Sequence, residues 1–184
     1  MNLPNQIKQK AEGVSLVVFD VDGVLTDGAL VYGANGEEVK HFNVKDGVGI
    51  KLLQEYGVVV SIISAKTSKP LLKRINDLGV KHAYTGCKDK VAALTELAGR
   101  LGIDFEQIAY CGDDVIDLKV MLKVGLSLAP ADAYSMVLSK SDYALNAMGG
   151  KGVAREVCDL ILSSKMDLED AYIKAMLPEF EVRK

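Results

Sequence analysis

Histidine and cysteine are scarce in this sequence, and their scarcity excludes several kinds of site. The 184 residues include two histidines, His41 and His82, so neither a histidine-based catalytic triad nor a histidine-rich metal site is expected. The three cysteines, Cys87, Cys111 and Cys158, stand singly without CxxC spacing. This pattern argues against a disulfide framework or a structural zinc site. We expect reduced thiols, as is usual in a cytoplasmic protein.

Long apolar runs and an excess of positive charge are also absent. The longest apolar run, near residues 58–65, is far shorter than the roughly 18–20 residues of a membrane span. Residues 1–10 are polar and lack the apolar core of a signal peptide. The formal net charge is −3, from 22 basic and 25 acidic residues, which excludes a chain-wide basic surface for nucleic acid. We therefore expect a single cytoplasmic domain, residues 1–184, that binds neither nucleic acid nor membrane.

Short apolar runs alternate with helical segments of roughly ten residues along most of the chain. The predicted strands are residues 14–19, 58–63, 83–84, 108–111 and 126–128. This alternation is typical of parallel βαβ units, and it predicts an α/β fold with a doubly wound, Rossmann-like parallel sheet. Asp46 is expected to cap a helix that runs to about Tyr56.

One segment, residues 29–42, does not follow the strand–helix alternation. Two short strand-like runs flank Gly33-Ala34-Asn35-Gly36, and Asn-Gly between such runs predicts a β-hairpin. We interpret the hairpin as an insertion after the first strand. The spacing between Ser64 and Lys90 leaves room for a helix and a strand only, so no cap domain is expected and the site of a lone subunit should be open.

Polar side chains follow four of the predicted strands, where ligands bind in a doubly wound sheet. They are Asp20, Asp22, Ser64, Lys90, Asp113, Asp114 and Asp117. Any one of these aspartates can be a turn or helix-capping residue. Gathered carboxylates repel one another, however, and a hard divalent cation such as Mg²⁺ would offset that repulsion. A calcium-binding EF-hand is excluded, because Val24 and Leu25 stand where that loop needs an oxygen ligand and glycine.

The order of these motifs resembles the haloacid dehalogenase superfamily of phosphohydrolases. The motifs are DxDGV at residues 20–24, a serine after the second strand, a lysine after the third, and GDDxxD at residues 112–117. The chain is most similar to one branch, the 3-deoxy-D-manno-octulosonate 8-phosphate phosphatases. That similarity is carried by DVDGVLTDG, FNVKDGVG, GDDVID and GGKGVARE. The resemblance implies an Mg²⁺-dependent homotetramer that supplies a sugar acid for lipopolysaccharide, with the hairpins forming a central barrel.

The resemblance also implies a role for each motif residue. Asp20 would be the nucleophile that forms an aspartyl phosphate, and Asp22 would act as general acid and base. The metal would be held by the Asp20 carboxylate, the Asp22 backbone carbonyl and Asp113. Ser64 would hydrogen-bond the phosphoryl group, and Lys90 would neutralise its developing charge. For Asp114 and Asp117, support of the metal site, loop orientation and helix capping all stay open.

A sugar acid phosphate carries a carboxylate as well as a phosphate, and further residues should recognise it. By resemblance the candidates beside Asp22 and Lys90 are Asn43, Val44, Lys45, Asp46, Gly47, Lys51, Lys66 and Arg74. Lysine stands at 45, 51 and 66, where the branch has arginine, and Ala65 stands where it has glycine. Lysine cannot make the bidentate contact that arginine makes with a carboxylate, and these lysines can equally be solvated surface residues.

Several interpretations therefore stay open. A close variant would hydrolyse a nine-carbon ulosonic acid 9-phosphate. A receiver-type phospho-acceptor domain also uses aspartate and lysine on a doubly wound sheet, but it would lack the acid/base at Asp22. A catalytically silent oligomeric scaffold is a third alternative. The segment GGKGVARE either lies near a neighbouring subunit's site, as the resemblance implies, or is a flexible connection into a helix in which Gly149, Gly150 and Gly152 mark a loop.

Overall fold

A six-stranded parallel sheet between two layers of helices organises the chain in the computed structural model, which describes residues 3–177 and residue 180. The strands are β1 (Leu16–Phe19), β2 (Val31–Gly33), β3 (Gly36–Val39), β4 (Val59–Ile63), β5 (His82–Tyr84), β6 (Ile108–Cys111), β7 (Leu126–Ala129) and β8 (Tyr143–Ala144). The helices are α1 (Asn5–Glu12), α2 (Val44–Glu55), α3 (Lys69–Asp77), α4 (Lys90–Leu101), α5 (Val115–Met121), α6 (Ser135–Lys140), α7 (Val153–Lys165) and α8 (Leu168–Ala175), with a 3₁₀ turn at Phe105–Gln107.

The order of strands in the large sheet is β5-β4-β1-β6-β7-β8, with every neighbouring pair parallel. From β1 the chain moves outward through β4 to β5 and then returns to β6 on the other side of β1. The strand order therefore reverses between β1 and β6, which makes a crevice at their carboxyl ends. This confirms the predicted doubly wound α/β fold.

The buried strands explain why both faces of the sheet carry helices. Along β1, Val17 and Phe19 contribute to one apolar core while Leu16 and Val18 contribute to the other. Side chains of successive strand residues point to opposite faces, so a continuous apolar run needs cover on both. Helices α1, α2, α3, α7 and α8 supply apolar residues to the first core, and α4, α5 and α6 supply them to the second.

The predicted hairpin is present. Its strands β2 and β3 pair antiparallel and form a two-stranded sheet separate from the large one. Its turn residues are Ala34 and Asn35, and Gly36 has a φ of +100°, a backbone conformation that favours glycine. Both strands are largely exposed; the side chain of Tyr32, for example, keeps 66% of its surface in contact with solvent.

Two details of the secondary structure differ from expectation. Asp46 does not cap α2: the cap is Asn43, whose side chain accepts a hydrogen bond from Lys45 N at 3.0 Å, and Asp46 lies in the first turn. The elements α1, α6 and β8 were not predicted, because they are short and polar or carry few apolar residues. Among the described residues, no helix is both long and apolar enough to cross a membrane.

Candidate active site

Asp20 and Lys90 meet at the carboxyl edge of the sheet. Asp20 directly follows β1 and its backbone N–H donates to Cys111 O at 3.0 Å, which continues the pairing of β1 with β6. Lys90 is the first residue of α4, a helix whose amino end is capped by Asp89. Both side chains are buried, and Lys90 Nζ lies 2.9 Å from Asp20 Oδ2. Strand pairing and helix capping therefore fix this ion pair.

Two further carboxylates, the half-buried Asp113 and the buried Asp117, complete an acidic cluster at the same edge. One carboxylate oxygen from each of Asp20, Asp113 and Asp117 lies within 4.8 Å of the other two. Asp113 comes from the loop after β6, and Asp117 comes from the first turn of α5. Oxygen atoms of this kind and spacing suit a small divalent cation.

The environment raises the pKa of both Asp20 and Asp113 to about 7. Burial is the main cause for each, because it penalises the charged form, and the neighbouring carboxylates add repulsion. For Asp20, the ammonium of Lys90 opposes the rise. The pKa of Lys90 itself is raised: burial lowers it, but Asp20 and Asp117 outweigh that effect. Without a further cation, burial and mutual repulsion therefore disfavour the ionised forms of the carboxylates in this cluster.

Asp117 is oriented by hydrogen bonds to both of its oxygens. Oδ1 accepts from Lys90 Nζ at 2.7 Å and from the Tyr110 hydroxyl at 2.7 Å. Oδ2 accepts from the backbone N–H groups of Asp113 and Asp114, at 3.3 and 3.4 Å. Because its oxygens already have these partners, Asp117 is suited to hold Lys90 and the loop rather than to bind a metal. Asp114 is exposed and caps α5 through Val115 N at 2.7 Å.

The turn after β1 depends on Gly23. Its φ is +84°, and a methyl group at this position would overlap the Asp113 carboxylate. Any other residue would therefore strain the backbone and displace Asp113. The same turn is braced by the glycine loop: Gly150 N donates to Val24 O at 3.0 Å, and added methyl groups on Gly149 and Gly150 would meet backbone atoms of residues 23–27. These two glycines thus permit close packing.

Asp22 lies in this turn and forms an ion pair that was not predicted. Its Oδ1 contacts Lys40 Nζ, and Lys40 also lies 2.6 Å from Glu37 Oε1. Glu37 belongs to β3, and Lys40 follows the end of that strand. The Lys40 side chain keeps 1% of its surface exposed, although most of the hairpin is in solvent.

Ser64 directly follows β4, so it lies at the same carboxyl edge of the sheet as the acidic cluster, and it is buried. Its backbone N–H donates to Tyr84 O at 2.8 Å, which extends the pairing of β4 with β5. The hydroxyl oxygen accepts a hydrogen bond from Lys66 N at 3.3 Å, so its proton is free to point elsewhere. Ser64, Asp20, Lys90 and Asp113 therefore all lie at one edge, as their positions after strands require.

The candidate substrate residues near the start of α2 form a group of their own. Arg74 Nη2 donates to Asn43 O at 3.1 Å, and Asn43 Nδ2 donates to Gly150 O at 3.3 Å. Asp46 is buried, and its Oδ1 accepts from Arg155 N at 2.8 Å while Oδ2 has no hydrogen-bond partner among the described residues. Burial raises the Asp46 pKa to about 6, against the lowering effect of these donors.

The remaining candidates are placed differently from one another. Val44, Lys45 and Lys66 are exposed, and Gly47 is buried close to Arg74 Nη2. The Lys51 ammonium lies 4.7 Å from the centre of the Phe180 ring, a cation–π contact. Within the described residues, no hydrogen bond or ion pair joins these side chains to Asp20 or Lys90.

Two residues of the site were not predicted from the sequence. Tyr110 lies within an apolar strand, a pattern that is typical of a core residue. The structure shows that its side chain is fully buried. Lys40 lies among alternating polar residues of a hairpin, where a lysine is usually solvated. Neither position carries a sequence signal, because the contacts of Tyr110 with Asp117 and of Lys40 with Asp22 are side-chain contacts between different elements of the fold.

Comparison with known proteins shows which family the chain resembles. A family model described as haloacid dehalogenase-like hydrolase matches residues 84–157. The 3-deoxy-D-manno-octulosonate 8-phosphate phosphatase of Yersinia pestis is 46% identical over 167 residues, covering 91% of this chain and 89% of the relative. Its crystal structure superposes with a TM-score of 0.88, covering 91% and 90% of the two chains. The Moraxella catarrhalis phosphatase, solved with magnesium, phosphate and KDO, is 37% identical with a TM-score of 0.90, covering 95% and 100%.

Proposed function

The chain belongs to the 3-deoxy-D-manno-octulosonate 8-phosphate phosphatases, within the haloacid dehalogenase-like hydrolases, and we propose that 3-deoxy-D-manno-octulosonate 8-phosphate is its substrate. It is a phosphoric monoester hydrolase. One observation carries the proposal: the buried Asp20 carboxylate lies at the crevice of the sheet, 2.9 Å from Lys90 and next to the Asp113 carboxylate. A carboxylate held beside an ammonium at this crevice suits nucleophilic attack on a phosphate ester.

In the first proposed step, an Asp20 oxygen attacks phosphorus and the bond to the sugar oxygen breaks. The electron pair of that bond goes to the sugar oxygen, which takes a proton from the Asp22 carboxylic acid. The products are the free sugar acid and an aspartyl phosphate on Asp20. Lys90 neutralises charge on the phosphoryl oxygens, and the Ser64 hydroxyl donates a hydrogen bond to one of them.

In the second step, water attacks the phosphorus of the aspartyl phosphate. Asp22, now a carboxylate, takes a proton from that water, and the bond between phosphorus and the Asp20 oxygen breaks. Inorganic phosphate leaves, and both aspartates return to their starting forms. Asp22 is therefore needed twice, once as an acid and once as a base.

Magnesium fits the residues at this edge of the sheet. Asp20 is buried and Asp113 is half-buried, and both carboxylates have pKa values of about 7, so a divalent cation would relieve their repulsion and favour their ionised forms. We assign Asp20, Asp113 and the backbone carbonyl of Asp22 as its protein ligands. When bound, Mg²⁺ supplies charge neutralisation for the phosphate ester.

We propose that recognition of the sugar acid needs a second subunit. Asn43, Asp46 and Arg74 form a polar group at the start of α2 that makes no contact with Lys90 among the described residues. In a homotetramer, such groups can face a neighbour's crevice and close it. The exposed apolar side chains of the hairpin, Leu30, Val31, Tyr32 and Val39, are the proposed contact between subunits.

The test is phosphate release from the eight-carbon and nine-carbon ulosonate phosphates, with Mg²⁺ and then with a chelator. We expect the eight-carbon ester to be preferred and chelation to abolish turnover. Asp20→Asn should lower turnover by several orders of magnitude, because it removes the nucleophile. Asp77→Asn is the matched control, since Asp77 pairs with Lys73 on the surface of α3. Preference for the nine-carbon ester would overturn the substrate assignment, and unchanged turnover by Asp20→Asn would overturn the mechanism.

A further inference from the structure

We propose that Lys40 is a positioning residue that holds the Asp22 carboxylate in its reactive orientation. The inference rests on the proposed function, in which Asp22 is the acid and base. The observation is the contact between Lys40 Nζ and Asp22 Oδ1, at a lysine that also pairs with Glu37 Oε1 at 2.6 Å. The hairpin insertion thus supplies a charged group to the active site of its own subunit.

The burial of Lys40 sets it apart from the rest of the hairpin. Its side chain keeps 1% of its surface exposed, and Glu37 keeps 9%, whereas the other hairpin side chains are mostly in solvent. Burying an ammonium is costly unless carboxylates surround it. Lys40 meets that condition with two carboxylates, one from its own hairpin and one from the turn after β1.

Among the described residues, Lys40 is the one side chain that fixes the Asp22 carboxylate. In the described part of the chain, its carboxylate accepts a hydrogen bond from Lys40 alone. The backbone of the turn is well defined, because Val24, Leu25 and Thr26 all donate to Val21 O. A carboxylate that is 24% exposed on such a turn would otherwise sample several rotamers. Lys40 selects one of them, and Glu37 anchors Lys40 from the far side.

An alternative is that this ion pair only fastens the hairpin to the body of the protein. The two roles differ in which chemical step they affect. p-Nitrophenolate is a weakly basic leaving group, so its departure does not need the acid, while hydrolysis of the aspartyl phosphate still needs Asp22 as base. A positioning defect at Asp22 should therefore spare the first step with p-nitrophenyl phosphate and slow the second.

The experiment is rapid mixing of Lys40→Met with p-nitrophenyl phosphate and Mg²⁺. We expect a burst of p-nitrophenol, equal to the number of active sites and formed within about twofold of the wild-type rate, followed by turnover slowed by about 10- to 100-fold. Lys40→Arg should recover part of the turnover. Lys73→Met is the matched control, because Lys73 pairs with Asp77 on an exposed helix face, and it should behave as wild type.

Asp22→Asn, measured in parallel, separates the two proposals. If Asp22→Asn gives the burst and slow turnover but Lys40→Met behaves as wild type, or loses the burst rate as well, the role of Lys40 is wrong. If Asp22→Asn itself does not show the burst with slowed turnover, the proposed acid/base function fails instead. Thermal unfolding checks that each variant is folded. Should Lys40→Met misfold, the double variant Glu37→Gln/Lys40→Met, which removes both buried charges together, gives the same comparison.

Discussion

The carboxylate of Asp117 accepts a hydrogen bond from the ammonium of Lys90 at 2.7 Å, with both groups buried. The same ammonium lies 2.9 Å from Asp20, so one lysine joins the nucleophile proposed here to a fully buried acid. The Tyr110 hydroxyl donates to the same Asp117 oxygen at 2.7 Å. Asp117 and Tyr110 therefore form a buried side-chain network that fixes the position of Lys90.

Tyr110→Phe tests the contribution of this network. The variant removes one hydrogen bond to a buried charged acceptor while keeping the ring that fills the core. We expect the free energy of unfolding to fall by about 1.5–3 kcal/mol, the range for hydrogen bonds to charged groups. Urea unfolding measures it. Tyr134→Phe, at an exposed tyrosine, should change stability by less than about 0.5 kcal/mol, and an equal loss in both variants would contradict the network.

The stability of the metal-free protein should fall as pH rises. This is the opposite of the effect of an aspartate whose pKa is lowered by folding. Asp20 and Asp113 have pKa values of about 7 in the folded protein and of about 3.9 in the unfolded chain. Between these values the folded state binds more protons, so stability falls as pH rises. With a chelator, we expect a lower melting temperature at about pH 8 than at about pH 5.

Magnesium should reverse that trend, because it favours the ionised carboxylates. The rise in melting temperature on adding Mg²⁺ should therefore be larger at the higher pH. Asp113→Asn removes one of the repelling charges and should be more stable than wild type in chelator at the higher pH. If wild type with chelator were instead more stable at the higher pH, the raised pKa values would be wrong.

The residues that meet at the carboxyl edge of the sheet could be predicted from the sequence for a simple reason. Parallel strands end at the same edge, so residues that follow them within one or two positions, such as Asp20, Ser64 and Asp113, must come together once the strands are recognised. Lys90 follows the same logic through the helix after β5. No knowledge of side-chain contacts was needed for these positions.

The positions that were not predicted depend on side-chain contacts or on sequence patterns too short to interpret. Lys40 meets Asp22 across 18 residues, through a hairpin whose direction relative to the sheet has no sequence signal. Asp46 and Asn43 are both good capping residues, and only the structure distinguishes which of them begins α2. β8 has two residues, too few for any periodicity to be visible.

The hairpin should be needed for assembly but not for folding. Val31 is exposed in the described structure, so Val31→Asp should leave the melting temperature within a few degrees of wild type. If β2 and β3 form the contact between subunits, the charge would oppose burial and the variant should elute as a smaller species. Light scattering coupled to size exclusion measures the mass. Leu122→Asp is the control on α5's exposed end, and a wild type that is monomeric would contradict the proposed contact.

Gly23→Ala should damage the metal site more than the fold. The residue has a φ of +84°, and the added methyl group would overlap the Asp113 carboxylate, which must then change its position. We expect the Mg²⁺ concentration for half-maximal turnover to rise by about 10-fold or more, in the range seen when support of a metal ligand is lost.

Titration of turnover with Mg²⁺ measures this effect, and thermal unfolding separates it from a general loss of stability. Gly99→Ala is the matched control: Gly99 lies in α4 with open space around it, so alanine should leave the Mg²⁺ dependence unchanged and stabilise the helix by about 0.5–1 kcal/mol. An unchanged Mg²⁺ dependence in Gly23→Ala would mean that Asp113 can move without loss, and it would then not be a metal ligand.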